Sequence, residues 1–215
     1  MRVLIAGVFL LSALSVQAQN FGFQFPSEMW HKGEVILADG NTMQGTIKYD
    51  ILGDVIQVNR DDKIQTFAAN QIQQFKILQE DIGRFRSFYT IPYLNKNGYR
   101  RPKFFELIFE GETSLLAREM ILITTRPPRD PYFSRGLRYN PYAGSRSVRI
   151  LDHDLFLMNS KGKITPLNKK RKDVIYSFDD KYTDLKKIIK SNRLKMNNID
   201  DVATLVAEYN KLGEQ

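Results

Sequence analysis

The chain has 215 residues, 42% hydrophobic and 12% aromatic, with 32 basic and 24 acidic side chains and no cysteine. That composition excludes a disulfide framework, and beyond the first residues it offers no apolar run long enough to span a bilayer as a helix. The net charge of +8 bears on partners and solubility rather than on fold.

Met1 to Ala18 has the three parts that export machinery reads: Arg2 as a short basic start, the apolar run Val3 to Leu14, and the small-residue pattern Val16-Gln17-Ala18. Cleavage after Ala18 leaves a mature chain of 197 residues with net charge +7. The apolar run is well short of the roughly 20 residues of a spanning helix. No cysteine follows it, so a lipid anchor of the bacterial lipoprotein kind has no attachment point. The expectation is an exported protein, periplasmic, outer-membrane associated or extracellular, with no transmembrane segment after leader removal. Its length suffices for one good core or two small ones without covalent staples.

From Gly33 to Leu78 the pattern is of short strands and tight turns. Glu34 to Leu37 meets Asp39-Gly40, a strong hairpin signal, and Met43 to Tyr49 returns with Met43, Ile47 and Tyr49 on alternate positions. Asp54 to Val58 and Ile64 to Phe67 form a second hairpin around the polar turn Asn59 to Lys63. A brief helical turn over Ala68 to Gln74 leads into a closing strand, Phe75 to Leu78. Five such strands suit a small barrel or a strongly curled sheet.

Longer strands follow at Arg84 to Thr90, Lys103 to Phe109 and Ser114 to Thr125, the last two joined through Glu110-Gly111-Glu112. The helix-favouring residues in Leu115 to Ile123 compete with the hairpin after Gly111, and strand is the preferred assignment. Phe104, Phe105, Leu107, Ile108 and Phe109 leave few polar positions, which suggests burial on both faces. Arg126 to Arg149, with Pro127, Pro128, Pro131 and Pro141, breaks every periodic pattern and reads as a long loop or insert. Asp154 to Met158 and Lys163 to Leu167 then form a hairpin across Asn159 to Gly162. The tail changes period: Leu185, Ile188 and Ile189 mark one amphipathic helix opened by Asp179 or Asp180. Ile199, Val202, Leu205, Val206, Tyr209 and Leu212 mark a second, capped by Asn197 or Asn198. These stripes pack on each other and on the sheet, or offer a face to a protein partner.

The segments Gly33 to Gly40, Gly45-Thr46-Ile47, Leu185 to Asn192 and Tyr209-Asn210 resemble uncharacterised exported proteins common in Bacteroidetes. The resemblance spans most of the mature chain. It implies export and, because that group has no established activity, carries over no catalytic residues.

Side chains suited to chemistry are few. The chain has only His31 and His153 as histidines. In Asp152-His153-Asp154 strand alternation sets both aspartates on the face that His153 avoids, and the triplet reads as a polar turn before Leu155. His31, next to Trp30, reads as packing or surface. No nucleophile elbow, acylating serine or phosphate-binding glycine loop occurs. Glu80, Asp81, Glu106, Glu110 and Glu112 are available for a paired-carboxylate mechanism, though each has an ordinary solvent-facing explanation. No metal site and no cofactor are expected.

The most distinctive stretch interleaves Arg126, Arg129, Arg135, Arg138, Arg146 and Arg149 with Tyr132, Phe133, Tyr139 and Tyr142. Arginine forks hold phosphate, sulfate or carboxylate by two-point contact, and tyrosine rings stack on sugars. The competing reading is a solvated insert whose charge aids solubility. Export separates the chain from nucleic acid, so anionic envelope glycans or lipid head groups are the expected ligands.

The sequence thus predicts a mainly β protein, a small curled sheet or barrel of short antiparallel strands, with a C-terminal helical tail of two amphipathic helices. Its parts are a leader, 1–18, a β-rich body, 19–178, and the tail, 179–212; the body is one sheet or two, divided between 33–78 and 84–167. The expected function is non-catalytic binding or envelope association through the basic-aromatic stretch. The alternative is an envelope hydrolase using paired carboxylates.

Overall fold

The computed structural model describes residues 24–80, 82–94, 98–126, 146–168, 170, 174, 176–178 and 181–213. Ten antiparallel strands form one sheet: β1 His31–Leu37, β2 Thr42–Asp50, β3 Val55–Arg60, β4 Lys63–Ala68, β5 Ile72–Gln79, β6 Arg84–Leu94, β7 Arg100–Phe109, β8 Thr113–Arg126, β9 Arg146–Asn159 and β10 Ile164–Leu167. Their order is β10-β9-β8-β7-β6-β5-β1-β2-β3-β4. Helices α1, Tyr182–Ser191, and α2, Ile199–Gly213, follow. The architecture is therefore mainly β with a helical tail. Both strand blocks belong to one sheet, and that sheet is open. Among the described residues no helix is long and apolar enough to cross a membrane.

The curl follows from chain connectivity. Only Ala69–Gln71, a single 3-10 turn, separates β4 from β5, yet β3, β2 and β1 lie between them in the sheet. Four strand spacings in a flat sheet are roughly 19 Å. The four residue steps from Ala68 to Ile72 reach at most about 14 Å. The sheet must therefore bend until β4 and β5 approach. β5, which the sequence pattern suggested as a closing strand, pairs with β1 and carries the sheet on to β6. Gly33 and Gly45, Cα partners on β1 and β2, ease the bend. A Cβ at Gly33 would press on the Lys76 carbonyl and the Ile47 side chain, and one at Gly45 on the Asn59 carbonyl.

The β1–β2 and β9–β10 hairpins lie at their expected turns. The turn between β3 and β4 is tighter than the five-residue polar segment suggested. Only Asp61 and Asp62 are unpaired, both with positive φ (51° and 58°), the backbone of a two-residue primed turn. β9 begins at Arg146, so Arg146 and Arg149 lie in a strand and not in a loop. Asp152-His153-Asp154 is mid-strand rather than a turn. A 14-residue partner in continuous register, β8, holds that polar triplet extended against its weak local preference. Residues 1–23, 127–145, 179 and 180 lie outside the described residues.

Cross-strand partners share a face, so the register defines the inner surface. One row reads Met43, Val35, Phe75, Phe88, Glu106, Ala117, Leu155 and Leu167 across eight strands. Every member but Glu106 is apolar. At one end of this surface the curl encloses Val35, Ile47, Tyr49, Ile56, Val58, Phe75, Ile77, Phe88 and Phe104. At the other end Leu115, Ala117, Leu155, Leu157 and Leu167 pack under Leu185 and Ile189 of α1 and Val202, Leu205 and Val206 of α2. The tail's apolar stripes are thus spent on the core. Asn198 opens α2, its Oδ1 accepting from the amides of Asp200 and Asp201. Asn210 ties the helix to the strand turn by accepting from Thr113 N at 2.8 Å and donating to Thr113 O at 2.9 Å.

Leu205→Ala should lower the unfolding free energy by about 2–5 kcal/mol in a single urea transition, because the helices and β7–β10 share one core. A separate early transition for the tail would contradict that coupling. Gly33→Ala, which loads the tightest point of the curl, should cost about 1–3 kcal/mol in the same measurement.

Candidate functional site

Between the two apolar clusters lies a buried polar group built around Arg86. Its guanidinium takes Glu106 in a two-point clamp, Nε to Oε1 at 2.7 Å and Nη2 to Oε2 at 2.6 Å. Nη2 also donates to Glu119 Oε1 at 2.5 Å, and Nη1 donates to the Tyr49 hydroxyl at 3.0 Å. Tyr49 in turn donates to Glu119 Oε2 at 2.9 Å. Glu106 and Glu119 are 7% and 6% exposed, well under what a solvent-facing acid needs. This corrects the surface reading of Glu106.

Four strands supply this group: Tyr49 from β2, Arg86 from β6, Glu106 from β7 and Glu119 from β8. In a flat sheet β2 and β8 would lie roughly 24 Å apart. The curl brings their side chains to hydrogen-bond distance. β7 and β8 pair only over Glu106–Phe109 and Leu115–Ala117, then separate. The turn after β2 fills the opening: Asp54 Oδ1 accepts from Phe104 N at 3.0 Å and from Arg118 Nη1 at 2.7 Å. Arg118 also donates to the carbonyls of Phe104 and Ile51.

The electrostatics follow from burial. Burial works against the Arg86 charge, but hydrogen bonds and charge from Glu106, with Tyr49 and Glu119 behind, outweigh it and hold its pKa above the ordinary value. Burial pushes the Tyr49 phenol well above its ordinary range; Arg86 opposes the rise and Glu119 adds to it. Tyr49 therefore acts as a hydrogen-bond relay between an arginine and a carboxylate, not as an acid. Formal charges do not balance: two carboxylates face one guanidinium.

His153 stands beside this surplus. It is the Cα partner of Glu119 across β8 and β9, and its Nε2 is 4.0 Å from Glu119 Oε1, outside hydrogen-bond range. Glu106, Glu119 and His153 can each place one ligand atom within 4.8 Å of the others. Against Glu119 lies a cavity of about 50 Å³ lined by Ser27, Asp50, Ile51, Leu52, Met120 and Ile121. Pockets for organic ligands run from roughly 300 Å³ upwards, so this space suits a water or an ion and not a sugar ring. Two acids do converge, as a paired-carboxylate mechanism would need, but each already holds Arg86.

The sequence-predicted anion site has a different placement. Arg126 ends β8 opposite Arg146, which begins β9. Arg149 faces the N-terminal segment, hydrogen-bonding Glu28 and lying over the Phe25 ring at 4.9 Å. The contact with Arg149 holds the Glu28 carboxyl below its usual range. Arg129, Arg135, Arg138, Tyr132, Tyr139 and Tyr142 lie outside the described residues. His31 is buried, with Nε2 2.7 Å from Pro26 O, which fits the packing reading. The sequence did not single out the Arg86 group. Its only trace was a charge at an inward position of each strand, such as Glu119 following Leu115 and Ala117 at period two.

No family model, curated protein or solved structure matches this chain.

Arg86→Met should destabilise the fold by about 3–5 kcal/mol, because it strands two buried carboxylates. Tyr49→Phe, which removes one donor to Glu119 and one acceptor from Arg86, should cost about 1–3 kcal/mol. Urea unfolding near neutral pH measures both, and equal effects would mean that the group is not organised around the arginine.

Proposed function

We propose that the mature chain is an exported, non-catalytic binding module of the cell envelope. In this reading the β8–β9 ribbon carries the basic-aromatic stretch to anionic glycans or lipid head groups. The observation that carries it is the ribbon. β8 and β9 stay in register from Thr113 and Asn159 to Arg126 and Arg146, whereas β7 accompanies β8 only as far as Ala117. The part from Arg118 to Arg126 therefore runs roughly 27 Å with β9 as its one sheet partner.

Two features favour an outward role. Ile123 is 72% exposed and Leu122 43%, so the ribbon leaves two large apolar side chains to solvent. The register also makes Arg126 and Arg146 cross-strand partners, so two basic residues stand at the end of the ribbon. The ribbon ends directly in the sequence that holds Arg129, Arg135 and Arg138. The engagement of Glu106 and Glu119 by Arg86 makes the hydrolase reading the weaker one, since neither carboxylate is available as a nucleophile or base without first releasing the guanidinium.

A variant with Arg126, Arg129, Arg135, Arg138, Arg146 and Arg149 all changed to glutamine should lose at least tenfold in binding to anionic outer-membrane vesicles at low salt. The estimate takes about 1 kcal/mol per basic residue near such a surface. Wild-type binding should fall as salt is raised. Co-sedimentation measures both, and unchanged binding by the variant would rule the ribbon out as the contact.

A further inference from the structure

The Arg86 group carries an unbalanced charge. Two carboxylates under a tenth exposed share one guanidinium, and a buried surplus of one negative charge is costly unless a cation or proton answers it. The neighbouring cations answer it only from a distance: Arg118 and Lys103 together carry one positive charge more than Asp54, but their contacts go to Asp54 and two carbonyls and not to Glu106 or Glu119. The group that faces the surplus is His153, whose Nε2 stands 4.0 Å from Glu119 Oε1. That separation is too long for a hydrogen bond. It is within about half an ångström of the roughly 3.4 Å between two ligands held at about 2.0–2.2 Å by one tetrahedral zinc-sized ion, a gap that a small side-chain rotation closes.

We propose that Glu106, Glu119 and His153 form a mononuclear site for a divalent transition-metal cation of zinc-like character. The donor set, two carboxylates and one imidazole, is borderline in softness and suits zinc, cobalt or iron(II) rather than calcium, which takes oxygen ligands alone. The three side chains come from neighbouring strands: β7 gives Glu106, while β8 and β9 give Glu119 and His153, cross-strand partners just beyond the point where β7 and β8 part. Each carboxylate oxygen keeps a lone pair after its hydrogen bond to Arg86 or Tyr49. Those two residues then act as positioning groups that orient the ligating carboxylates, the usual arrangement behind a metal centre. The ion brings two positive charges, so the formal balance of the cluster passes from minus one to plus one. His153 is a quarter exposed, which opens the site to solvent on that side, and a cavity of about 50 Å³ lies against Glu119. The proposal is independent of the envelope-binding reading, which uses other residues.

The test is a titration of the mature chain, prepared without a histidine tag and stripped with chelator, with Co²⁺ followed by its visible absorption and then displaced by Zn²⁺. One ion per chain is expected, with a melting temperature that rises on loading. His153→Ala should weaken Co²⁺ binding about a hundredfold while the unloaded protein still folds, since the imidazole is partly exposed and makes no hydrogen bond to the cluster. His31→Gln should leave binding unchanged. Glu119→Gln is the stricter variant but leaves Arg86 with one charged partner and can fail to fold; His153→Ala keeps the test decisive. Absence of one-to-one binding, or binding that survives His153→Ala, would overturn the site. So would a surplus charge met by a proton alone, seen as a stability that responds to pH but not to metal.

Discussion

The clamp of Arg86 on Glu106, extended through Glu119 and Tyr49, joins β2 to the neighbouring strands β6, β7 and β8, from which a flat sheet would keep it far apart. Its Tyr49 arm can form only if the sheet curls. Once formed, it restricts how far the curl can open. Removing one partner leaves a charge in a site where water cannot replace it, so the cost of local opening is set by desolvation rather than by the number of hydrogen bonds. The polar seam also separates the apolar core inside the curl from the one under the helices. Apolar side chains there would favour any well-packed arrangement. An arginine fork meeting one carboxylate by two points and a second by one accepts few.

The rest of the architecture is arranged around that seam. The short link from β4 to β5 compels the bend, and Gly33 and Gly45 remove the side chains that would resist it. The parting of β7 from β8 leaves backbone groups of β7 without a strand partner. The turn after β2, through Asp54 and the Arg118 guanidinium, supplies what the missing strand would have supplied. Beyond the parting, β8 and β9 continue as a two-stranded ribbon. An isolated ribbon is marginal in water, and this one is rooted in the sheet at one end and braced by the Arg149 contacts to Phe25 and Glu28.

The two proposed capacities rest on separate parts of this division. The ribbon carries the exposed side chains of Leu122 and Ile123 and has Arg126 and Arg146 at its end. The seam holds a compact set of ionisable groups inside, with a space of about 50 Å³ against Glu119. The first depends on charge that salt screens; the second lies in a low-dielectric interior where screening is weak. They involve different residues and different strands' ends, and either can operate without the other.

Local pattern was enough for much of the fold. Alternation from Glu34 to Tyr49, the Asp39-Gly40 turn, the hairpin after Gly111 and the helical stripes ending at Leu212 are short-range signals, and each element lies where they place it. The helix cap at Asn198 is equally local. What the sequence by itself determined was therefore the class, a β body with a helical tail, and the apolar stripes of its two helices. Tertiary structure decided the rest. The place of β5 beside β1, the strand through Asp152-His153-Asp154 and the burial of Glu106 depend on partners tens of residues away. The physical reason is that an inward charge looks like a fault until its counter-charge is known. Arg86, Glu106 and Glu119 meet by the pairing of β6, β7 and β8, and Tyr49 reaches them only through a curl that no local pattern encodes.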